Sequence, residues 1–129
     1  MSGRINSAGS RSGKIGRTEL DYEEGTWTPV DGDFDTWSSP TFDSYYTKIG
    51  RLVTCNLAQT GGSLAWSAVD YFTGLPFAIK DKSAGYAADS SAQIDKGPVL
   101  IWPPTNVYMI QGSYAETTLV IRITYITDE

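Results

Sequence analysis

From Thr26 onward the chain is dominated by short runs in which apolar and polar residues alternate with a period of two. That period puts successive side chains on opposite faces of a strand. In the run that ends at Gln59, Val53, Cys55 and Leu57 share one face, and Thr54, Asn56 and Ala58 share the other. In Thr117–Thr127, Leu119, Ile121, Ile123 and Tyr125 line one face. Val120, Arg122, Thr124 and Ile126 line the other, so Arg122 sets a charge among apolar groups on a strand expected to pack inward and also against a neighbour. Further strands are predicted over Thr26–Val30, Tyr45–Gln59 in two runs around an Ile49-Gly50 turn, Trp66–Thr73, Ala84–Ile94, Pro98–Trp102 and Val107–Gln111. Asp31–Asp43, with Pro40, reads as a polar loop, and Gly61-Gly62 marks another.

No segment carries a helical period. The expected fold class is all-β: an antiparallel β-sandwich, jelly-roll-like, with an extended N-terminal arm. Residues 1–18 form the arm and residues 19–129 the knob domain. No internal repeat points to a solenoid or a propeller. At 129 residues the chain fits one domain. A body of about a hundred residues buries only roughly 60–65% of the surface that its unfolded chain exposes, so oligomerisation would help it.

Charge changes the picture through its layout. The net charge is −5. Residues 1–18 carry Arg4, Arg11, Lys14 and Arg17 and no acid, whereas residues 19–43 carry eight acids and no base. An acidic body argues against nucleic acid as a partner. The arm, with Ile5 and Ile15 as apolar anchors, suits docking on an acidic protein surface. No apolar run is long enough to span a bilayer, and the first residues lack an apolar signal-peptide core, so neither a membrane nor export is expected.

Candidate chemistry narrows quickly. There is no histidine, which removes the usual general base and the commonest metal ligand. The single cysteine, Cys55, reads as a small buried hydrophobe. Asp31-Gly-Asp33-Phe-Asp35 opens like a calcium loop, but Thr36 and Phe42 stand where that loop needs glycine and glutamate. Gly13-Lys14 lacks the flanking glycine and hydroxyl of a phosphate loop. No catalytic residue, metal site or cofactor is expected. Among the aromatic residues, Trp27 and Trp66 lie in strand runs and read as core. Trp37, in the Asp/Ser/Pro stretch, and Tyr45 are the candidates for glycan or surface contact.

Three motifs then bear on family. Asp21-Tyr-Glu-Glu-Gly-Thr-Trp-Thr-Pro29, Tyr46-Thr-Lys-Ile-Gly-Arg-Leu-Val-Thr54 and Gly74-Leu-Pro-Phe77 resemble, in this order, signatures of a small β-domain of bacteriophage virion proteins. Ser10–Gly16 resembles linkers found ahead of it. The resemblance spans roughly residues 10–80, and residues 84–129 match only as generic strands. It implies a β-sandwich that assembles as a homotrimer on a phage particle, often as a tail-fibre tip that meets the host surface. The motif follows Met1 by only about twenty residues, with no stalk, which shifts the expectation to a capsid decoration (cement) protein. Such a protein is assembled in the host bacterial cytoplasm and docks through Arg4, Ile5, Arg11, Lys14, Ile15 and Arg17 on the major capsid protein or another virion protein. The alternative is a receptor-binding fibre tip that recognises a host surface glycan; a polysaccharide-degrading enzyme is a third class, and the chain is not expected to be an enzyme.

Overall fold

The computed structural model describes residues 21–129. The arm residues 1–18, with all six of its named docking residues, lie outside the described residues. Ten strands follow in order: β1 (Tyr22–Thr26), β2 (Val30–Asp31), β3 (Thr36–Ile49), β4 (Leu52–Trp66), β5 (Tyr71–Thr73), β6 (Ser83–Asp89), β7 (Ile94–Trp102), β8 (Asn106–Met109), β9 (Ser113–Glu116) and β10 (Leu119–Ile126). No helix occurs among the described residues. The fold is all-β and antiparallel, as the alternation predicts.

One continuous sheet runs in the order β1-β3-β4-β10-β6-β7-β8-β5-β2, and β9 pairs with the far end of β4. It curls on itself into a half-barrel. The curl brings β5 against β3: Phe72 packs on Trp37 at 6.4 Å between ring centroids, and on Phe34 at 6.0 Å. Trp66 and Trp27 are buried in the same aromatic cluster. Inward rows follow the register. Tyr46, Cys55, Ile123, Gly85, Val99 and Met109 stand opposite one another from β3 to β8. A Cβ at Gly85 would lie 2.4 Å from Ile123 Cγ2, so this row closes only because residue 85 has no side chain.

The alternation assigned the faces of β4 and β10 as found: Val53, Cys55, Leu57, Leu119, Ile121, Ile123 and Tyr125 are all buried. Burial pushes the Cys55 thiol up to about 12, which makes it an inert core group. Turn signals were less reliable. The expected loop at 31–43 is strand from Thr36, and the expected Gly61-Gly62 loop lies within β4. Both signals come from one irregularity. The β3–β4 pairing slips around Ser38–Phe42, which holds Pro40 in a bulge. Opposite it, Gly62 has φ +74°, and a Cβ there would meet Pro40 Cα at 2.4 Å. The run Trp66–Thr73 is also divided: Trp66 ends β4, and Asp70 Oδ2 accepts from Ser67 N at 2.8 Å in the turn before β5.

The three motif segments converge on one end of the sheet. The first forms β1, which pairs with β3 from Tyr22↔Ile49 to Thr26↔Tyr45. Gly25 faces the Tyr46 ring, where a Cβ would come within 2.9 Å, and Tyr46 Oη donates to Glu23 Oε2 at 2.7 Å. Trp27 Nε1 donates to Tyr45 O, and Ser44 Oγ donates back to Trp27 O. The third motif closes the end. Gly74, at φ +104°, presses on the Thr28 and Pro29 backbone, and Leu75 is buried. The Phe77 ring meets Tyr46 edge-on at 5.3 Å, with Lys48 Nζ 5.5 Å from its centroid. Lys48 is buried but reaches Asp21 at 3.5 Å. Tyr125 Oη donates to Phe77 O at 2.9 Å and accepts from Phe77 N at 3.3 Å.

Tyr125→Phe keeps the ring and removes this double link, leaving a backbone N–H and C=O unpaired. Denaturant unfolding should show a loss of about 1–3 kcal/mol. An unchanged midpoint would mean that water replaces the hydroxyl at no cost.

Candidate functional site

The inward side chains of β4 and β10 are buried in the core, and the recesses described below lie on the outer face. On it, β3, β4, β10 and β6 bring two adjacent rows together. Tyr45, Asn56, Arg122 and Tyr86 stand opposite one another in the first. Asp43, Ala58, Val120 and Ala88 form the second, which Asp95 of β7 extends. The small side chains of Ala58, Val120 and Ala88 in the second row, beside the row flanked by the two tyrosines, leave a groove of about 390 Å³. Tyr45 and Tyr86 are 48% and 57% exposed. Arg122 Nε donates to Asn56 Oδ1 at 2.7 Å, and Tyr86 Oη donates to Asp95 Oδ2 at 2.6 Å. That hydrogen bond holds the Tyr86 phenol above its ordinary range and the Asp95 carboxyl below its own.

A second recess, about 350 Å³, lies on the outer face of β7 and β8, lined by Val69, Leu100, Trp102, Tyr108 and Ile110. Trp102 meets Tyr108 edge-on at 6.5 Å, Tyr71 packs on Tyr108 at 5.3 Å, and Lys82 Nζ sits 4.1 Å from the Trp102 ring centre. Val69 is exposed and held at φ +63°, a conformation that a β-branched residue rarely adopts. Its N–H donates to Met109 O at 2.7 Å, which fixes it there.

The two surface-contact candidates separate. Tyr45 stands in the groove. Trp37, expected on a polar loop, instead lies in β3 with its ring half-buried against Phe34, Phe42 and Phe72. It is a packing residue because the strand continues through the polar stretch and turns residue 37 inward. The Asp31–Asp35 carboxylates diverge to fasten backbone and loop. Asp31 Oδ1 accepts from Phe34 N, Asp33 Oδ1 from Tyr71 N, and Asp35 Oδ2 from Ser67 Oγ. Among the described residues no group of three acidic or cysteine side chains is placed to hold a metal ion. No helix among them is long and apolar enough to cross a membrane.

Asp43, Asn56 and Arg122 were not legible as site residues. Arg122 was visible as a charge on an apolar strand, but its place beside Asn56 and Tyr86 depends on the pairing of β10 with β4 and β6. Comparison of the chain with family models, curated proteins and solved structures finds no match in any of the three.

One charge cluster, built around a buried glutamate, stands apart from both recesses. Glu116 on β9 is 2% exposed; its Oε1 pairs with Lys96 Nζ at 3.3 Å, while its Oε2 has no hydrogen-bond partner among the described residues. Burial first, and Asp89 second, raise the Glu116 carboxyl, with Lys96 opposing. Asp89 shifts the other way: N–H of Ala92 and the Thr118 hydroxyl donate to its carboxylate and hold it well below the usual range. A raised carboxyl stabilises the fold below its unfolded value, near 4.5, and that contribution is lost as pH rises through the folded value. Asp89 does the reverse: its contribution is present above 3.8 and lost as pH falls. Thermal melts from pH 4 to pH 8 should show a rising-pH loss of stability from Glu116 that Glu116→Gln removes. Parallel pH profiles for the two proteins would show that Lys96 fully compensates the buried carboxylate.

Proposed function

We propose that this protein is a structural component of a tailed-phage virion, a homotrimeric capsid decoration protein whose N-terminal arm docks on the shell. The observation that carries the reading is a pair of separate apolar patches on the outer face of the sheet. One is the aromatic recess at Trp102, Tyr108, Val69 and Ile110. The other is a strip at the opposite end, where Tyr22, Ile49 and Leu52 stand side by side through the pairings Tyr22↔Ile49 and Ile49↔Leu52 and are each about half exposed. Outer positions of a solvated sheet are ordinarily polar. Exposed apolar patches, and Trp and Tyr in particular, mark protein interfaces.

Two unlike patches suit a ring. In a closed ring each subunit offers one patch to a neighbour and a different patch to the other, whereas a two-fold dimer uses one patch twice. Asp21, the first described residue, sits beside this strip, because its O accepts from Gly50 N at the β3–β4 turn. At about 3.3 Å per extended residue, twenty residues reach about 66 Å, enough to lie across a neighbouring subunit or the shell. The arm's bases, Arg4, Arg11, Lys14 and Arg17, would pair with acidic surface there. The three motifs support the phage assignment, and added interface between capsid subunits would be the mode of action.

The test is co-sedimentation with capsids purified from the source phage and stripped of this protein. The full chain should bind. A truncation lacking residues 1–18 should stay folded and bind at least tenfold more weakly. Undiminished binding by the truncation would overturn the role of the arm.

A further inference from the structure

We propose that the groove between Tyr45 and Tyr86 is a binding site for an acidic saccharide, with the Arg122 guanidinium pairing with the sugar carboxylate. The site stands on its own geometry, whether or not the chain assembles on a capsid.

Arg122 has an unspent donor fork. Its Nε is engaged by Asn56 Oδ1 at 2.7 Å, and no carboxylate lies within ion-pair distance of the guanidinium among the described residues. The Asn56 contact orients the guanidinium, and neither Nη group has a hydrogen-bond acceptor among the described residues. That fork matches a carboxylate in a bidentate way, which a point charge does not. The same contact orients the Asn56 amide, because its oxygen is the acceptor and its nitrogen is left as a donor beside the fork.

The remaining features set the class of ligand. Tyr45 and Tyr86 lie on β3 and β6, separated by β4 and β10, so three strand spacings of about 4.8 Å place them roughly 14 Å apart. Asn56 and Arg122 stand between them in their own row, and Ala58, Val120 and Ala88 form a low floor in the adjacent row. A ligand laid across the strands can therefore meet both aromatic side chains with its apolar ring faces and still reach Arg122. Tyr86 is braced for this, since its hydroxyl is tied to Asp95. Asp43 is an acceptor on the rim, suited to sugar hydroxyls and unfavourable to a second carboxylate. Aromatic walls, a few convergent polar groups and one cation describe a uronic or sialic acid unit within an oligosaccharide. The floor residues Ala58, Ala88 and Val120 are small, and no large apolar side chain besides the two tyrosines stands exposed in this groove among the described residues. The apolar recess at Trp102 is the better surface for a protein partner.

The experiment is a titration of the full-length protein, followed by amide chemical shifts, with a hyaluronan tetrasaccharide and with sialyllactose. Neutral cellotetraose is the control. Saturable shifts at Tyr45, Asn56, Tyr86 and Arg122 are expected with at least one acidic sugar, and at least tenfold weaker binding with cellotetraose. Arg122→Ala should weaken the acidic sugar at least tenfold and bring it level with the neutral one. Tyr86→Phe, which keeps the ring, should weaken it less than threefold, whereas Tyr86→Ala should weaken it at least fivefold. Absence of saturable binding by both acidic sugars would overturn the proposal. So would equal affinity for cellotetraose, or undiminished binding by an Arg122→Ala protein whose amide spectrum shows it to be folded.

Discussion

The Phe77 segment must sit on the open end of the sheet for the rest of the structure to hold. A ten-stranded antiparallel sheet has one apolar face, and curling hides that face only where side chains meet across the curl. At the β3 end, Tyr46, Lys48 and Tyr125 would face solvent if the Gly74–Phe77 segment were not laid over them. The segment can lie there because Gly74 takes a left-handed backbone against Thr28 and Pro29. Tyr125 then satisfies both polar backbone groups of Phe77. Placing Lys48 under an aromatic ring with its ammonium reaching Asp21 draws β1 into the same unit. Loosening this contact exposes the inner faces of β1, β3 and β10 at once.

The three motif segments thus have a physical reason to occur together. Gly25 is needed where the Tyr46 ring crosses β1, Gly50 turns β3 into β4 at φ +60°, and Gly74 allows the closing segment to approach backbone. They specify how the curled sheet is closed. None of them contributes a side chain to the floor of the groove, which is built from Ala58, Ala88 and Val120. A resemblance carried by these motifs therefore speaks to architecture first.

Much of the fold was legible because burial on one face imposes a period of two. The alternation in Val53–Leu57 and Leu119–Tyr125 named the buried side chains correctly, and Trp27, Trp66 and Cys55 read as core. Local punctuation misled where two signals answered each other across strands. Pro40 and Gly62 each look like a break in the chain, yet together they make a bulge that β3 and β4 pass through. Trp37 was misplaced for that reason. The groove was beyond reach, because Tyr45, Asn56, Arg122 and Tyr86 come from four strands and meet only through register. Pairing of that kind is a long-range property that no local window contains. The same holds for Glu116, whose burial depends on β9 lying along β4 and not on its own neighbours.

The outer face of one sheet carries a tyrosine-walled groove between two apolar patches, so the proposed recognition and the proposed assembly use different parts of the same surface. Self-assembly through the two patches is the central claim. Sedimentation equilibrium of the full-length protein at neutral pH and physiological salt tests it most directly. The account predicts a single species of three chain masses that Trp102→Asp dissociates. A species of one chain mass across the whole accessible concentration range would contradict it.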